Sequence, residues 1–294
     1  MFIDINGNKW YKGNLHTHTT RSDGRSEPAD TVKLYKSNGY DFIVLTDHWV
    51  ISDKINKTGD ILQIAGCEYD TGNNVIDGIY HVVAIGIDKN INLPKTDPKP
   101  TAQYIIDKIN ANNGIAILAH PAWSMNTPSE IKKLHGLTGI EIYNTVSDMP
   151  RNLRGFSGVI VDRLAAENYI LQCVASDDTH FYDGDECKSF VWVKADELTQ
   201  DSIIAAIKTG DFIASQNPFF SYTIDKNKTE IEVTCTPVKA VAFMTDTVYT
   251  HDRVTHGNDI SYAKYKIKPS DTFIRIELID NENRHAWSSP IKIR

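Results

Sequence analysis

The sequence predicts an α/β fold over residues 1–217, followed by a small all-β C-terminal domain over residues 218–294. In the first part, short apolar runs of strand length alternate with segments of helical periodicity. Continuous apolar runs of this kind are typical of strands buried on both faces of a parallel sheet. After Asn217 and Pro218 the pattern changes to short alternating segments separated by polar turns, which indicates an antiparallel β module such as a sandwich.

Four segments of the first part have the features of helices. Residues 101–113 place Ile105, Ile106 and Ile109 on one face and are followed by Gly114, and glycine is common just past a helix end. The other segments are residues 27–37, which end near Gly39, residues 158–168, and residues 199–209, which Gly210 closes. Alternation of such helices with strands predicts a parallel sheet.

A histidine pair, His16 and His18, lies at the end of the first long predicted strand. Alternate side chains of a strand point to the same face, so both imidazoles can bind one metal ion. Asp23 follows on a loop that can turn back over the pair. Histidine and carboxylate ligands together suit zinc, manganese or iron.

Five further segments carry the same residue types at a predicted strand end: residues 42–48, 64–68, 80–86, 116–121 and 173–180. Four of them end in His, Asp or Glu, and the remaining one carries His81 near its start. In barrels of parallel strands, functional residues collect at the carboxyl ends. Ligands from so many strand ends can converge only if the sheet closes or nearly closes.

These motifs, in this order, resemble the PHP (polymerase and histidinol phosphatase) family of metal-dependent hydrolases over roughly residues 10–217. The matching elements are His16 and His18 with residues 22–24, residues 46–48, Glu68, His81, residues 119–121 and residues 178–180. The resemblance implies a distorted seven-stranded β/α (TIM-like) barrel that holds two or three divalent ions, zinc, manganese or iron. The ending at residues 286–291 is similar to that of a family branch with a C-terminal β module.

The resemblance also implies how the ligands are divided among the ions. The ligands of one ion would be His16, His18, Glu68 and Asp178. Glu68 would bridge to a second ion, whose other ligands would be His81 and His120. The ligands of a third would be Asp23, His48 and His180. The residues assigned to catalysis are Glu68, Asp178 and His180. The neighbouring carboxylates Asp177 and Asp178 are both open as ligands, although the spacing to His180 selects Asp178.

Five other residues are candidates for substrate binding. Trp49 and Trp123 each follow a ligand histidine by a few residues, on loops where they either stack on substrate or pack ordinarily. Asn144 ends another predicted strand and can reach the pocket. The family often has an arginine in the region of residue 163, so Arg163 is the first candidate for binding an anionic substrate. Arg21 is the second candidate.

Composition excludes several classes of protein. A formal net charge of -7 argues against general nucleic-acid binding, which needs a basic face. No segment has the features of a signal peptide or approaches the roughly 20 apolar residues of a membrane span. The four cysteines form no Cys-x-x-Cys motif, which favours reduced thiols in a cytoplasmic enzyme.

The functional prediction is a phosphoesterase that hydrolyses a small anionic phosphate ester through a metal-bridging hydroxide. The same cluster would attack a carbamate or carboxylic ester, as some relatives with a β tail do. An arginine contact favours the phosphate, and an apolar Trp49 and Trp123 pocket favours the neutral ester. A non-catalytic metal-stabilised module is a third alternative, disfavoured because every matched ligand position is kept. The C-terminal module is a candidate binding or dimerisation element.

Overall fold

The protein has a mixed α/β fold with one large sheet, seen in a computed structural model that describes residues 1–52, 61–76, 78–88, 91–249 and 251–294. The strands of the first part are β1 (Phe2–Ile3), β2 (Lys9–Asn14), β3 (Phe42–Leu45), β4 (Leu62–Thr71), β5 (Tyr80–Ile85), β6 (Ile115–Leu118), β7 (Gly139–Asn144), β8 (Gln172–Ser176), β9 (Phe190–Lys194) and β10 (Phe212–Ser215). The helices are α1 (Pro28–Ser37), α2 (Ala102–Ala111), α3 (Pro121–Ser124), α4 (Pro128–Ile131), α5 (Thr145–Asp148), α6 (Gly158–Ala166) and α7 (Gln200–Thr209). Among the described residues, no helix is long and apolar enough to cross a membrane.

The four predicted helices are confirmed as α1, α2, α6 and α7, within two residues at each end. Local chemistry explains these bounds. The Thr101 and Thr199 hydroxyls accept hydrogen bonds from backbone N–H groups of the first turns of α2 and α7. Gly210 ends α7 with a φ of 82°, a conformation that glycine adopts without steric cost.

Strand direction departs from the prediction at β5. Neighbouring strands run parallel from β2 to β4 and again from β6 to β8, but β5 is antiparallel to both β4 and β6. The prediction of a wholly parallel sheet is therefore wrong. Residues 72–79 connect β4 to β5 and are too few for the crossover of roughly a dozen residues that a parallel pair needs. Because β5 runs in reverse, His81 near its start lies at the edge where the neighbouring strands end.

The two ends of the series β2 to β8 meet at the site edge. A parallel bridge joins Thr17, after β2, to Thr179, after β8. The His18 N–H donates to the Thr179 carbonyl at 2.9 Å, and the Asp178 N–H donates to the His16 carbonyl at 2.9 Å. The segments that follow the first and last strands of the series are therefore held side by side.

Beyond residue 217 the described chain is all-β, as predicted, with strands β11 (Phe220–Ile224), β12 (Glu230–Met244), β13 (Val254–Lys266), β14 (Phe273–Ile279), β15 (His285–Trp287) and β16 (Ile291–Lys292). The pairing of β12 with β13 has register shifts between Thr234 and Val238 and between Val238 and Ala240. The short strand β15 pairs with β10 on one side and β14 on the other. The sheet therefore continues from the first part of the chain into the second.

Candidate metal centre

Four buried side chains form the first group of candidate ligands: His16, His18, Glu68 and Asp178. Nε2 of His16 and Nε2 of His18 each lie 3.1 Å from Oδ1 of Asp178. Glu68 Oε2 is 3.2 Å from His18 Nε2, and Glu68 Oε1 is 3.4 Å from His16 Nε2. Residues from β4 and from the segments after β2 and β8 thus lie around a single point, and they are the four that the resemblance assigns to one ion.

Glu68 also contacts histidines on its other side. Its Oε1 lies 3.0 Å from Nδ1 of His81 and 3.4 Å from Nε2 of His120. Its Oε2 lies 3.2 Å from Nδ1 of His48. This carboxylate therefore lies between two sets of histidines.

A third group lies nearer the surface and is formed by His18, Asp23, His48 and His180. Asp23 Oδ1 is 3.5 Å from His180 Nε2 and 3.4 Å from His18 Nδ1, and Asp23 Oδ2 is 3.7 Å from His48 Nε2. His18 belongs to this group as well as to the first, through its second ring nitrogen. The structure thus brings all the side chains expected as metal ligands into one continuous cluster.

Two buried atoms of the cluster support a metal centre. Asp178 Oδ1 and His48 Nδ1 are buried and make no hydrogen bond of acceptable geometry among the described residues, although His16 Nε2 and His18 Nε2 lie 3.1 Å from the first atom and Glu68 Oε2 lies 3.2 Å from the second. A buried polar atom left without a partner costs roughly 1–3 kcal/mol, so such atoms are rare in folded proteins. A divalent cation would satisfy both, and the imidazole and carboxylate set suits zinc, manganese or iron.

The electrostatics of the cluster also favour a cation. Burial lowers the pKa of His16, but the charges of Asp178, Glu68 and Glu141 outweigh burial and raise that pKa well above its ordinary value. Burial raises the pKa of Glu68, yet the surrounding histidines hold it well below the usual range. The field that favours protons on these histidines equally favours a divalent ion among them.

Glu141 orients the cluster and was not found from the sequence. Its Oε1 lies 2.9 Å from Nδ1 of His16, and its Oε2 accepts the backbone N–H of His120 at 2.8 Å. Nδ1 of His180 lies 2.7 Å from the Asp178 carbonyl in the same way. When Nδ1 donates to such a partner, Nε2 is left free as a ligand. The available signal was an acid inside β7 between two buried isoleucines.

The two aspartates after β8 have different surroundings. Asp178 faces the cluster, whereas Asp177 accepts the backbone N–H groups of Cys187, Lys188 and Ser189 at 2.8, 2.9 and 2.7 Å. Burial raises the pKa of Asp177 to about 6 against these hydrogen bonds. Asp177 thus fixes the loop that follows the ligands and does not point at the candidate ions.

Two ligands adopt an uncommon backbone conformation. His120 has a φ of 28° and Asp178 a φ of 53°, in the left-handed region that non-glycine residues seldom occupy. Conformations of this kind cost about 1–3 kcal/mol and cluster at functional sites. In both cases the backbone turns directly after a buried strand, which aims the side chain into the cluster.

A cavity of about 350 Å³ opens above the ligands. The lining residues are Asp23, His48, Glu68, His81, His120, Trp123, Val146, Ser147, Asn152, Asp178, His180 and Phe181. The Trp123 ring packs edge-on against the rings of His120 and His81, with centroids 5.0 and 5.8 Å away. Trp123 and Phe181 give the cavity aromatic surface beside the polar cluster.

The other expected substrate-binding residues lie outside this lining. Asn144 is buried behind the ligands, where its amide donates to Glu141 at 2.7 Å and to Asp178 at 3.1 Å. Trp49 donates from Nε1 to Asp70 at 2.7 Å. Arg21 is exposed on the loop that carries Asp23.

Arg163 is also away from the cavity. It lies in the last turn of α6 with its side chain 69% exposed, 3.7 Å from Glu167. The helical periodicity that places Val161 and Leu164 in the core turns Arg163 outward. The structure therefore does not bring Arg163 to the candidate substrate.

Comparison with known proteins shows which structures share this fold. No family model matches the sequence. An uncharacterised protein of Methanocaldococcus jannaschii is 29% identical over 157 residues, which are 45% of this chain and 81% of that protein. A two-domain protein from Bacteroides vulgatus, containing a predicted PHP-like metal-dependent phosphoesterase, matches 100% of this chain and 97% of its own, with a TM-score of 0.56 and 16% identity. A putative metal-dependent phosphoesterase from Bifidobacterium adolescentis matches 57% of this chain and 87% of its own, with a TM-score of 0.44 and 16% identity.

The full-length match defines the class of structure. This chain has the fold of the two-domain PHP-like protein, and the resemblance predicted from the motifs is confirmed at that level.

Proposed function

We propose that the protein is a metal-dependent phosphoesterase that hydrolyses a small phosphate ester. The observation that carries this proposal is the convergence of six histidines and three carboxylates, Glu68 among them, in a cluster where two buried atoms make no hydrogen bond within the described part of the chain. Without cations such a cluster would destabilise the folded protein, because burying charged groups that are not neutralised costs free energy.

The residues have distinct parts in this proposal. Two or three divalent ions, when bound, would lower the pKa of water and neutralise charge that develops on a phosphoryl group. Glu68 and Asp178 would hold these ions together with the surrounding histidines. His180 presents Nε2 towards Asp23 because its Nδ1 lies against a carbonyl oxygen. Trp123 and Phe181 give the cavity aromatic surface.

Three finer points belong to the same proposal. Strands β2 to β8 would form the distorted seven-stranded barrel, closed by the bridge between Thr17 and Thr179. The ions would be zinc, manganese or iron, since the ligands are imidazole and carboxylate groups. A cytoplasmic location agrees with four free cysteines, of which Cys67 and Cys173 are buried.

Hydrolysis of a carbamate or carboxylic ester is a second candidate. The apolar side chains of Trp123, Val146 and Phe181 in the cavity favour it, because a neutral ester group can pack against them without losing the hydration of a charge. The metal cluster itself does not distinguish the two ester classes.

A substrate panel tests the proposal. Protein reconstituted with manganese, zinc or iron would be assayed against phosphomonoesters, phosphodiesters, nucleotides, sugar phosphates, and neutral aryl and carbamate esters. We expect at least one class of phosphate ester to be hydrolysed with the highest kcat/KM, and Glu68→Gln to abolish that activity. Much faster cleavage of neutral esters than of any phosphate would favour the second candidate instead.

A further inference from the structure

An arginine other than those expected stands at the outer end of the cavity. Arg151 follows α5 on the loop that also carries the lining residue Asn152. Its Cζ lies 3.9 Å from the centroid of the Phe181 ring, and the Cζ of Arg25 lies 4.9 Å from the same centroid. Two guanidinium groups are thus held against an aromatic side chain that lines the cavity beside His180.

We propose that Arg151, supported by Phe181, binds a second anionic group, a phosphate or a carboxylate, on the leaving group of the substrate. This inference rests on the proposed phosphoesterase function and names a substrate class for it. The selected substrates are phosphate esters with an additional anion, in preference to simple phosphomonoesters.

The local structure holds this position rigid. Asp185 accepts the backbone N–H groups of His180, Phe181 and Tyr182 at 2.8, 2.8 and 2.7 Å, which fixes the loop that carries the Phe181 ring. On the opposite loop, the Asn152 amide donates to the Val146 carbonyl at 3.0 Å. A guanidinium stacked on a ring keeps its N–H groups in the plane, where they can bind an anion in bidentate fashion.

The charge of Arg151 is available to a ligand. Its acidic partner is Asp183, with Nη2 and Oδ2 3.5 Å apart and both side chains about half exposed. Exposed pairs of this kind contribute about 0–1 kcal/mol, so a substrate anion can replace Asp183 at little cost. By contrast, the first group of candidate ligands, His16, His18, Glu68 and Asp178, is buried, and the scissile phosphoryl group would bind at the ions.

The size of the cavity also indicates that the leaving group is recognised. A volume of about 350 Å³ lies at the lower end of the range for small-molecule sites and exceeds what a phosphoryl group needs. Trp123, Asn152 and Phe181 line this cavity, and Arg151 contacts the Phe181 ring from outside the lining. A leaving group that fills this space brings its outer end to the guanidinium.

An aryl phosphate series tests the assignment. The probes are phenyl phosphate, 3- and 4-carboxyphenyl phosphate, and 1,4-phenylene bisphosphate, assayed with the manganese-loaded protein. We expect Arg151→Ala to lower kcat/KM at least tenfold for the probes with a second anion, mainly through KM, and less than twofold for phenyl phosphate. Tenfold corresponds to about 1.4 kcal/mol. For these probes, the kcat/KM of Arg151→Lys should lie between the values of the wild type and Arg151→Ala, because lysine keeps the charge and loses the bidentate geometry.

Arg154→Ala, on the same exposed loop, and Arg163→Ala, on α6, are matched controls that should leave every probe unchanged. The carboxylate and bisphosphate probes tell which anion is preferred. An Arg151→Ala effect that is equal for all probes, or absent for those with a second anion, overturns the assignment of Arg151 alone. Wild-type protein that hydrolyses no phosphate ester with any metal would overturn the proposed function itself.

Discussion

At the scale of single residues, Glu141 contacts two candidate ligands, His16 and His120. Its carboxylate contacts the His16 ring and the His120 backbone while remaining buried. We expect Glu141→Gln to lower the affinity for manganese or zinc about 10–100-fold, because loss of an outer carboxylate weakens ligand orientation and basicity. Calorimetric metal titration measures this, with Glu167→Gln at the exposed end of α6 as the control. Equal affinities for the two variants would remove Glu141 from this role.

The sequence indicated the candidate ligands more readily than the residues that support them. His16, His18 and Glu68 could be predicted because their spacing and strand-end positions carry the chemistry. Glu141 lies within a strand, where a single acidic residue is as consistent with an ion-paired core residue as with a residue that supports a metal site. Arg151 lies on a loop, and only the tertiary contact with Phe181 brings it near the site. Arg163 was expected in the site from the resemblance, but helical periodicity directs it to the surface.

At the scale of elements, helices were easier to predict than strand directions. The helices have strong periodicity and local end signals, such as Thr101 and Gly210. The reversal at β5 depends on the length of the connection at residues 72–79, which alternation of helices and strands does not reveal. The register of β12, which shifts twice along its pairing with β13, depends on its partners β13 and β14.

The contact between α6 and β14 contains a buried ionic network. Arg275 on β14 donates from Nε and Nη2 to Asp162 on α6 at 2.7 and 3.0 Å, and from Nη1 to Glu277 at 2.9 Å. Burial raises the pKa of Glu277, but the hydrogen bond from His285 and the charge of Arg275 outweigh it and lower that pKa overall. Ionised Glu277 therefore stabilises the folded protein.

We expect Glu277→Gln to reduce the free energy of unfolding by about 3 kcal/mol at pH 7, because it removes one of the two carboxylates that pair with the buried Arg275. The folded-state pKa is depressed, so the wild-type advantage is complete above the ordinary value of 4.5 and is lost as the pH falls through the folded value. Urea unfolding at several pH values measures both, with exposed Glu282→Gln as the control. A difference that stays constant down to acid pH would contradict this role.

At the scale of the whole molecule, the two parts of the chain share a core. Trp287 on β15 is 1% exposed, packs among the core residues of the first part and stacks on Tyr143 at a centroid distance of 5.5 Å. Its strand lies between β10 and β14. The boundary expected at residue 217 therefore lies within a continuous sheet. Removal of residues 218–294 would expose this surface, so we expect the shortened chain to be less soluble.

Trp287→Ala should reduce the free energy of unfolding of the whole chain by about 3–5 kcal/mol, the usual range for a large aromatic removed from a core. Denaturant unfolding followed by circular dichroism measures the change. Tyr249→Ala, at an exposed position, is the control and should have little effect. If Trp287→Ala were as stable as this control, the second part would be an independent appendage.

The central claim is that the histidine and carboxylate cluster binds several metal ions, and elemental analysis tests it most directly. Protein purified without chelator, or reconstituted with manganese, zinc and iron, should contain two to three equivalents of transition metal. Glu68→Gln should lose more than one of them, because its carboxylate contacts histidines on both sides of the cluster. Glu167→Gln should keep them all. Less than one equivalent in the wild-type protein after reconstitution would contradict the account.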